Sequence, residues 1–267
     1  MLLVENLELI YNEIITAVKG VSIKVPIGEI TIILGPNGSG KTSILRAIGG
    51  ILKSQDGEIT NGTISLEGHR IDGYTPEKIS SLGVRLVPEG AGLFEDLTVF
   101  EHLRLAQYSN KSIQSKVKQD LFENVWAWFP TLKERKKIKV GYLSGGEQQM
   151  VSLAMVLVAR PRILIMDEPS IGLAPIIVKE LFGFLRRLNK EENVTILLVE
   201  QNAAISLGIA NYGYILENGK IVLDGLACDL LNDKQVREYY LGIGDMEKKR
   251  SFRDVKHYKT RKRWLAS

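Results

Sequence analysis

The sequence predicts an α/β fold with a parallel core, a small antiparallel piece at its front and a helical insertion in its middle. Three observations carry that prediction. Short apolar runs separated by turns fill residues 1–34. A helical pattern with charged connections fills about 98–160. From Arg162 onward, apolar strands and helices alternate, the order that a parallel sheet with crossover helices requires.

Along the chain, LLVENLELIYN and VSIKVPIGE read as antiparallel strands feeding a buried strand, ITIIL (30–34). ITNGTISLEG (59–68) reads as a further hairpin segment, and LGVRLVPEG (82–90) as a strand that ends at Pro88. The helical stretch contains the polar connections SNKSIQSK (109–116) and KERKKIK (133–139). RILIMDEP, VKELFGFLRRLNK, TILLVEQN, AAISLGIA and YGYILENGKIVLDG then follow as alternating elements. There is no tandem repeat. From about Asp245 the apolar period is lost, which predicts a loose extension or a solvated helix. The expected division is one large unit over 1–242, its helical part at about 95–160, and a basic extension over 243–267.

A chain of 267 residues with 45% hydrophobic and 25% charged residues has the composition of a globular protein. The start, MLLVENLELI, carries Glu5 and Glu8 and reads against a signal peptide. Apolar stretches such as LAMVLVA (153–159) fall far short of the roughly 20 residues of a membrane helix. The single cysteine, Cys228, leaves no internal disulfide and fits a reducing cytosol. Net charge is +4, but nine Lys/Arg against three Asp/Glu fall in 244–267, so the preceding residues carry a slight negative excess. A specific nucleic-acid partner is therefore not expected from the pI. The tail, with Phe252, Tyr258 and Trp264 among its basic residues, reads first as a solvated extension and second as a membrane-surface contact.

Chemistry enters directly after ITIIL. Gly35-Pro36-Asn37-Gly38-Ser39-Gly40-Lys41-Thr42-Ser43 matches G-x-x-x-x-G-K-[ST]. Its glycines let backbone N–H groups turn inward around phosphate oxygens, and the helix that follows presents its positive end to the same anion. Lys41 is a point charge for the β- and γ-phosphates, and the Thr42 hydroxyl is a candidate Mg²⁺ ligand. A bland Gly-rich turn is the alternative, but strand and helix stand where the motif demands them. In ILIMDE (163–168), four apolar residues carry Asp167 and Glu168 to a strand tip. Asp167 can hold Mg²⁺ and Glu168 can polarise an attacking water. LSGGEQ (143–148) opens a long helical pattern, so Ser144, Gly145, Gly146 and Glu147 form a second anion-binding constellation.

With the phosphate loop, LSGGEQ and MDE in this order, residues 1–242 resemble the ATP-binding subunit of an ABC transporter. The resemblance implies a P-loop NTPase core with a parallel sheet, an antiparallel β subdomain and an α-helical subdomain. It implies ATP and Mg²⁺ as cofactors and ATP hydrolysis as the reaction. It also implies that Ser144 and its neighbours complete the site of a second ATPase subunit, so that the chain alone is a poor ATPase. Soluble ABC ATPases of translation or DNA repair join two cassettes or insert coiled coils, and neither is found here. Lys41, Asp167 and Glu168 argue against a non-hydrolysing regulatory ATP binder.

Further positions follow from the resemblance. Tyr11 lies where the family stacks a ring on adenine. Glu89, in VPEG, stands where most members have a glutamine that touches metal and water. Ser170 to Leu173 occupy the loop that faces the opposite site, and Gln201 replaces the usual switch histidine. Gln201 is counted with Glu168 as catalytic; Thr42, Glu89 and Asp167 are counted as metal ligands. VPEG, LSGGEQQM, DEPSIGLAP and VEQNA together resemble the LivF-type subunit of branched-chain and hydrophobic amino-acid importers. That type implies a LivG-type ATPase partner (a homodimer is the alternative), two membrane permease subunits, a solute-binding protein outside the membrane, and a place on the cytoplasmic face of the membrane. Ala91 and Gly92 replace the usual arginines after VPEG, which leaves urea or short-chain amides as alternative solutes.

Overall fold

The computed structural model describes residues 1–90, 92–108 and 117–239, of which 117–121 and 239 by their backbone alone. The basic tail, Ala91 and the connection 109–116 lie outside the described residues.

Two sheets form the scaffold. Strands β1 (Leu2–Tyr11), β2 (Ile15–Val25), β4 (Gly57–Leu66) and β5 (His69–Arg70) make an antiparallel sheet in the order β2-β1-β4-β5. The second sheet has the order β10-β9-β3-β8-β7-β6. Its members are β3 (Ile30–Leu34), β6 (Val84–Val87), β7 (Ile163–Asp167), β8 (Thr195–Glu200), β9 (Tyr212–Glu217) and β10 (Lys220–Leu226). All run parallel except β10, which returns antiparallel to β9.

β3, β7 and β8 are buried at every position, as continuous apolar runs covered on both faces must be. The period of two then sorts their side chains. Ile30, Ile32, Leu34, Leu164, Met166, Ile196 and Leu198 enter one core with Phe184 and Leu185. Ile33, Ile163, Ile165, Leu197 and Val199 enter the other, against the antiparallel sheet and Ile44, Leu45 and Ile48.

The helices are α1 (Lys41–Ile48), α2 (Pro76–Ser81), α3 (Val99–Tyr108), α4 (Val117–Trp128), α5 (Pro130–Glu134), α6 (Gly145–Ala159), α7 (Pro175–Glu192), α8 (Ala203–Leu207), α9 (Ala227–Asn232) and α10 (Lys234–Tyr239). The segment carrying α3–α6 is tied at its base: Val99 N donates to Ile138 O at 3.1 Å and Val140 N to Leu97 O at 2.9 Å. Buried His102 fixes the approach to it. Its Nε2 accepts from Phe94 N (3.0 Å), so Nδ1 carries the hydrogen and donates to Thr98 O (3.0 Å).

One feature departs from simple strand–helix alternation. In YGYILENGKIVLDG, Asn218 (φ 49) and Gly219 (φ 79) form a two-residue turn that folds β10 back on β9. Among the described residues, no helix is long and apolar enough to cross a membrane.

Candidate functional site

Parallel strands put all their C-terminal ends on one edge, and β8 lies between β3 and β7. The phosphate loop after β3, Asp167 and Glu168 at the end of β7, and Gln201 after β8 are therefore neighbours. The loop needs glycine at two points for steric reasons. A Cβ on Gly35 would fall 2.2 Å from Leu216 O, and one on Gly40 (φ 106) would fall 2.6 Å from Ala17 O. So the chain turns in a slot between β9 and β2 that no side chain can share. α1 then begins without a side-chain cap, leaving its first N–H groups facing outward for an anion. The buried Ser39 hydroxyl also lacks a partner among the described residues.

Lys41 is almost fully buried and uses all three of its donors. It bonds Gly35 O (2.8 Å), Pro36 O (3.0 Å) and Glu168 Oε1 (3.1 Å). Glu168 has φ 45, an unfavourable left-handed conformation for a side-chain-bearing residue, and its amide is held by Val199 O at 2.9 Å. The second oxygen, Oε2, accepts from Gln201 Nε2 at 2.5 Å, and the same amide group donates to Asn37 Oδ1 in the phosphate loop. Glu168 is thus an internal anion on the lysine that a phosphate would otherwise meet.

Asp167 is 4% exposed, and its Oδ1 has no partner among the described residues. Burial pushes its carboxyl above the ordinary range. The Thr42 hydroxyl bonds it and opposes that shift, the Glu168 and Glu89 charges add to it, and Lys41 opposes it. An orphaned buried carboxylate oxygen beside a hydroxyl, with Glu89 near, is an all-oxygen donor set suited to a hard cation. No group of three or more His, Cys, Asp or Glu side chains suited to a metal ion is present among the described residues. Mg²⁺ suits such a site, because it takes one or two carboxylates and completes its shell with phosphates and water. Asp167 and Thr42 would hold it, with exposed Glu89 at the rim.

A carboxyl whose folded pKa is raised binds protons more tightly in the native state. It stabilises the fold below its ordinary pKa, and that contribution is lost as pH rises through the raised value. Near neutral pH, Asp167→Asn should therefore raise the melting temperature of the nucleotide-free protein while abolishing the additional shift given by MgATP over ATP alone. Thermal melts with and without Mg²⁺ check both signs.

The remaining expected residues fall in two places. Tyr11 OH bonds Ser43 Oγ at 3.2 Å, joining β1 to the end of the phosphate loop. Ser144–Glu147 sit on the helical segment, where Ser144 caps α6. The Glu147 carboxylate accepts from Ser144 N (2.9 Å) and Ser144 Oγ (2.8 Å) and pairs with Arg135 at 2.9 Å. The Ser144 amide holds Glu147 below the usual carboxylate range, helped by the Ser144 hydroxyl and Arg135 and opposed by slight burial. Glu147 acts here on its own helix. Ser144 and Gly145 are exposed, with open space around Gly145.

One residue at the site was not among those expected. Glu200, 2% exposed at the end of β8, accepts from Ser170 N (3.0 Å) and Gln201 N (3.2 Å). An acid closing the apolar run ILLV of TILLVE is the available signal.

Residues 18–171 match the ABC transporter family. The chain is 39% identical over 228 residues to the high-affinity branched-chain amino acid transport ATP-binding protein BraG of Pseudomonas aeruginosa, covering 85% of this chain and 94% of that one. It is 34% identical over 217 residues to the probable branched-chain amino acid transport ATP-binding protein LivF of Archaeoglobus fulgidus, covering 81% and 89%. Among solved structures, the ADP conformation of MJ1267, an ATP-binding cassette of an ABC transporter, superposes with a TM-score of 0.74 at 27% identity, covering 91% of this chain and 98% of that one. A phosphate loop, a strand-end carboxylate pair and a capped LSGGEQ helix, on a fold shared with such cassettes, have one explanation: the chain belongs to the ATP-binding subunits of ABC transporters, in the LivF-type branch.

Proposed function

We propose that this chain hydrolyses ATP to drive import of branched-chain amino acids, as one of two ATPase subunits held against membrane permeases. The observation that carries the hydrolytic part is the meeting of Lys41, Glu168 and Gln201 between the ends of β3, β7 and β8. The solute is inferred from the likeness to BraG. A LivG-type partner, two permeases and a solute-binding protein complete the assembly at the cytoplasmic face of the membrane.

The phosphate loop and the start of α1 receive the triphosphate, and Tyr11 meets the base. Lys41 shifts its bond from Glu168 to phosphate oxygen. Mg²⁺, held by Asp167 and Thr42 with Glu89 at the rim, would draw charge from the phosphate oxygens. Glu168, released from Lys41, orients an attacking water and takes its proton. The Gln201 amide keeps Glu168 aligned. It both donates and accepts, and it brings no group that titrates near neutrality. Ser144 and the α6 amides complete the site of the partner ATPase. ATP lost by hydrolysis removes that bridge and lets the pair open.

The test is uptake by the assembled complex in proteoliposomes over a panel of branched-chain amino acids, urea and short amides. Leucine, isoleucine or valine should compete best. Uptake of urea or an amide alone would move the solute assignment and leave the ATPase assignment intact.

A further inference from the structure

β8 is buried at all six positions, and the last is an acid. A carboxylate there is costly unless it is satisfied. Among the described residues no Lys, Arg or His pairs with Glu200. Backbone donors hold it instead: Oε1 takes Ser170 N at 3.0 Å and Oε2 takes Gln201 N at 3.2 Å. Burial pushes its carboxyl up, and the Ser170 hydroxyl and the Ser170, Gln201 and Asn202 amides pull it back.

The two bonded segments are the ones that carry the reacting groups. Ser170 lies two residues beyond Glu168, and Gln201 is the residue whose side chain reaches Glu168. Ser170 also opens the turn to exposed Ile171, with Leu173 N returning to Ser170 O at 3.3 Å, just before α7. We infer that Glu200 is a positioning residue: its carboxylate clamps the turn after Glu168 to the Gln201 loop and so sets the Glu168–Gln201 contact. The inference rests on the hydrolytic reading above. It adds a link by which movement of the 170–173 turn reaches Gln201 without touching nucleotide.

Glu200→Gln tests it, because the shape is kept while one acceptor becomes an NH₂ group facing an N–H. With the ATPase pair assembled, we expect kcat to fall about 10- to 100-fold, the scale for a misplaced reacting group, with KM for ATP unchanged. In a Gln201→Ala background the same substitution should cost less than about 2-fold, since a residue acting through another is non-additive with it. Glu200→Asp, which keeps the charge but shortens the reach, is measured in the same cycle should Glu200→Gln not fold. An unchanged kcat, a parallel rise in KM, or an equal loss in both backgrounds would overturn the clamp. Glu168→Gln run alongside separates the two claims: if that variant keeps its turnover, the hydrolytic reading fails, whatever Glu200→Gln does.

Discussion

Glu168→Gln is expected to bind MgATP firmly and to hydrolyse it at least ~10²-fold more slowly than the parent chain. Two effects act together. The amide cannot accept a proton from water, so general-base assistance is gone. It also leaves Lys41 without the carboxylate that pairs with it at 3.1 Å, so phosphate meets less competition for the ammonium. The variant should accumulate an ATP-bound pair of subunits, visible as an ATP-dependent shift in sedimentation. Turnover close to that of the parent would remove Glu168 from the role of base.

Lys41→Ala should abolish the thermal shift that MgATP produces and should also lower the stability of the nucleotide-free protein. The lysine and Glu168 side chains are 3% and 9% exposed, so removing the cation leaves a buried carboxylate short of a partner. Breaking such a pair costs about 3–5 kcal/mol when nothing relaxes. Here Gln201 still bonds one Glu168 oxygen, so the loss should fall at or below the lower end. The double variant Lys41→Ala/Glu168→Gln separates the two consequences. It should recover much of the stability, because the orphaned charge is gone, and none of the nucleotide binding. Chemical denaturation of the two single variants and the double variant measures the coupling.

The elements legible in the sequence are those whose cause is local. ITIIL, ILIM and TILLV announce buried strands because they are almost wholly apolar and rich in β-branched residues. The phosphate loop is legible because Gly35 and Gly40 answer steric needs at fixed spacing. Strand order is different, since it is set by pairing between distant segments. Nothing in TILLVEQN says that β8 lies between β3 and β7, yet that position brings Gln201 to both Asn37 and Glu168. The family resemblance pointed to Gln201 as the residue in the switch position, but not to these partners. Glu200 is illegible for the same reason, because its backbone partner Ser170 lies thirty residues away. Glu147 shows the opposite case. Ser144-x-x-Glu147 is a capping box legible in the sequence, and it ties Glu147 to the start of its own helix. Asn218-Gly219 is likewise a local hairpin signal that reverses the chain at the sheet edge.

ATP hydrolysis where Glu168, Lys41 and Gln201 meet is the proposed energy source of import. Its most direct test measures ATP hydrolysis and leucine uptake together in proteoliposomes that contain the permeases, the partner ATPase and this chain either unaltered or as Glu168→Gln. Uptake should require ATP and should stop along with hydrolysis at this subunit's site in the variant. Undiminished ATP-dependent uptake with Glu168→Gln in place would contradict it.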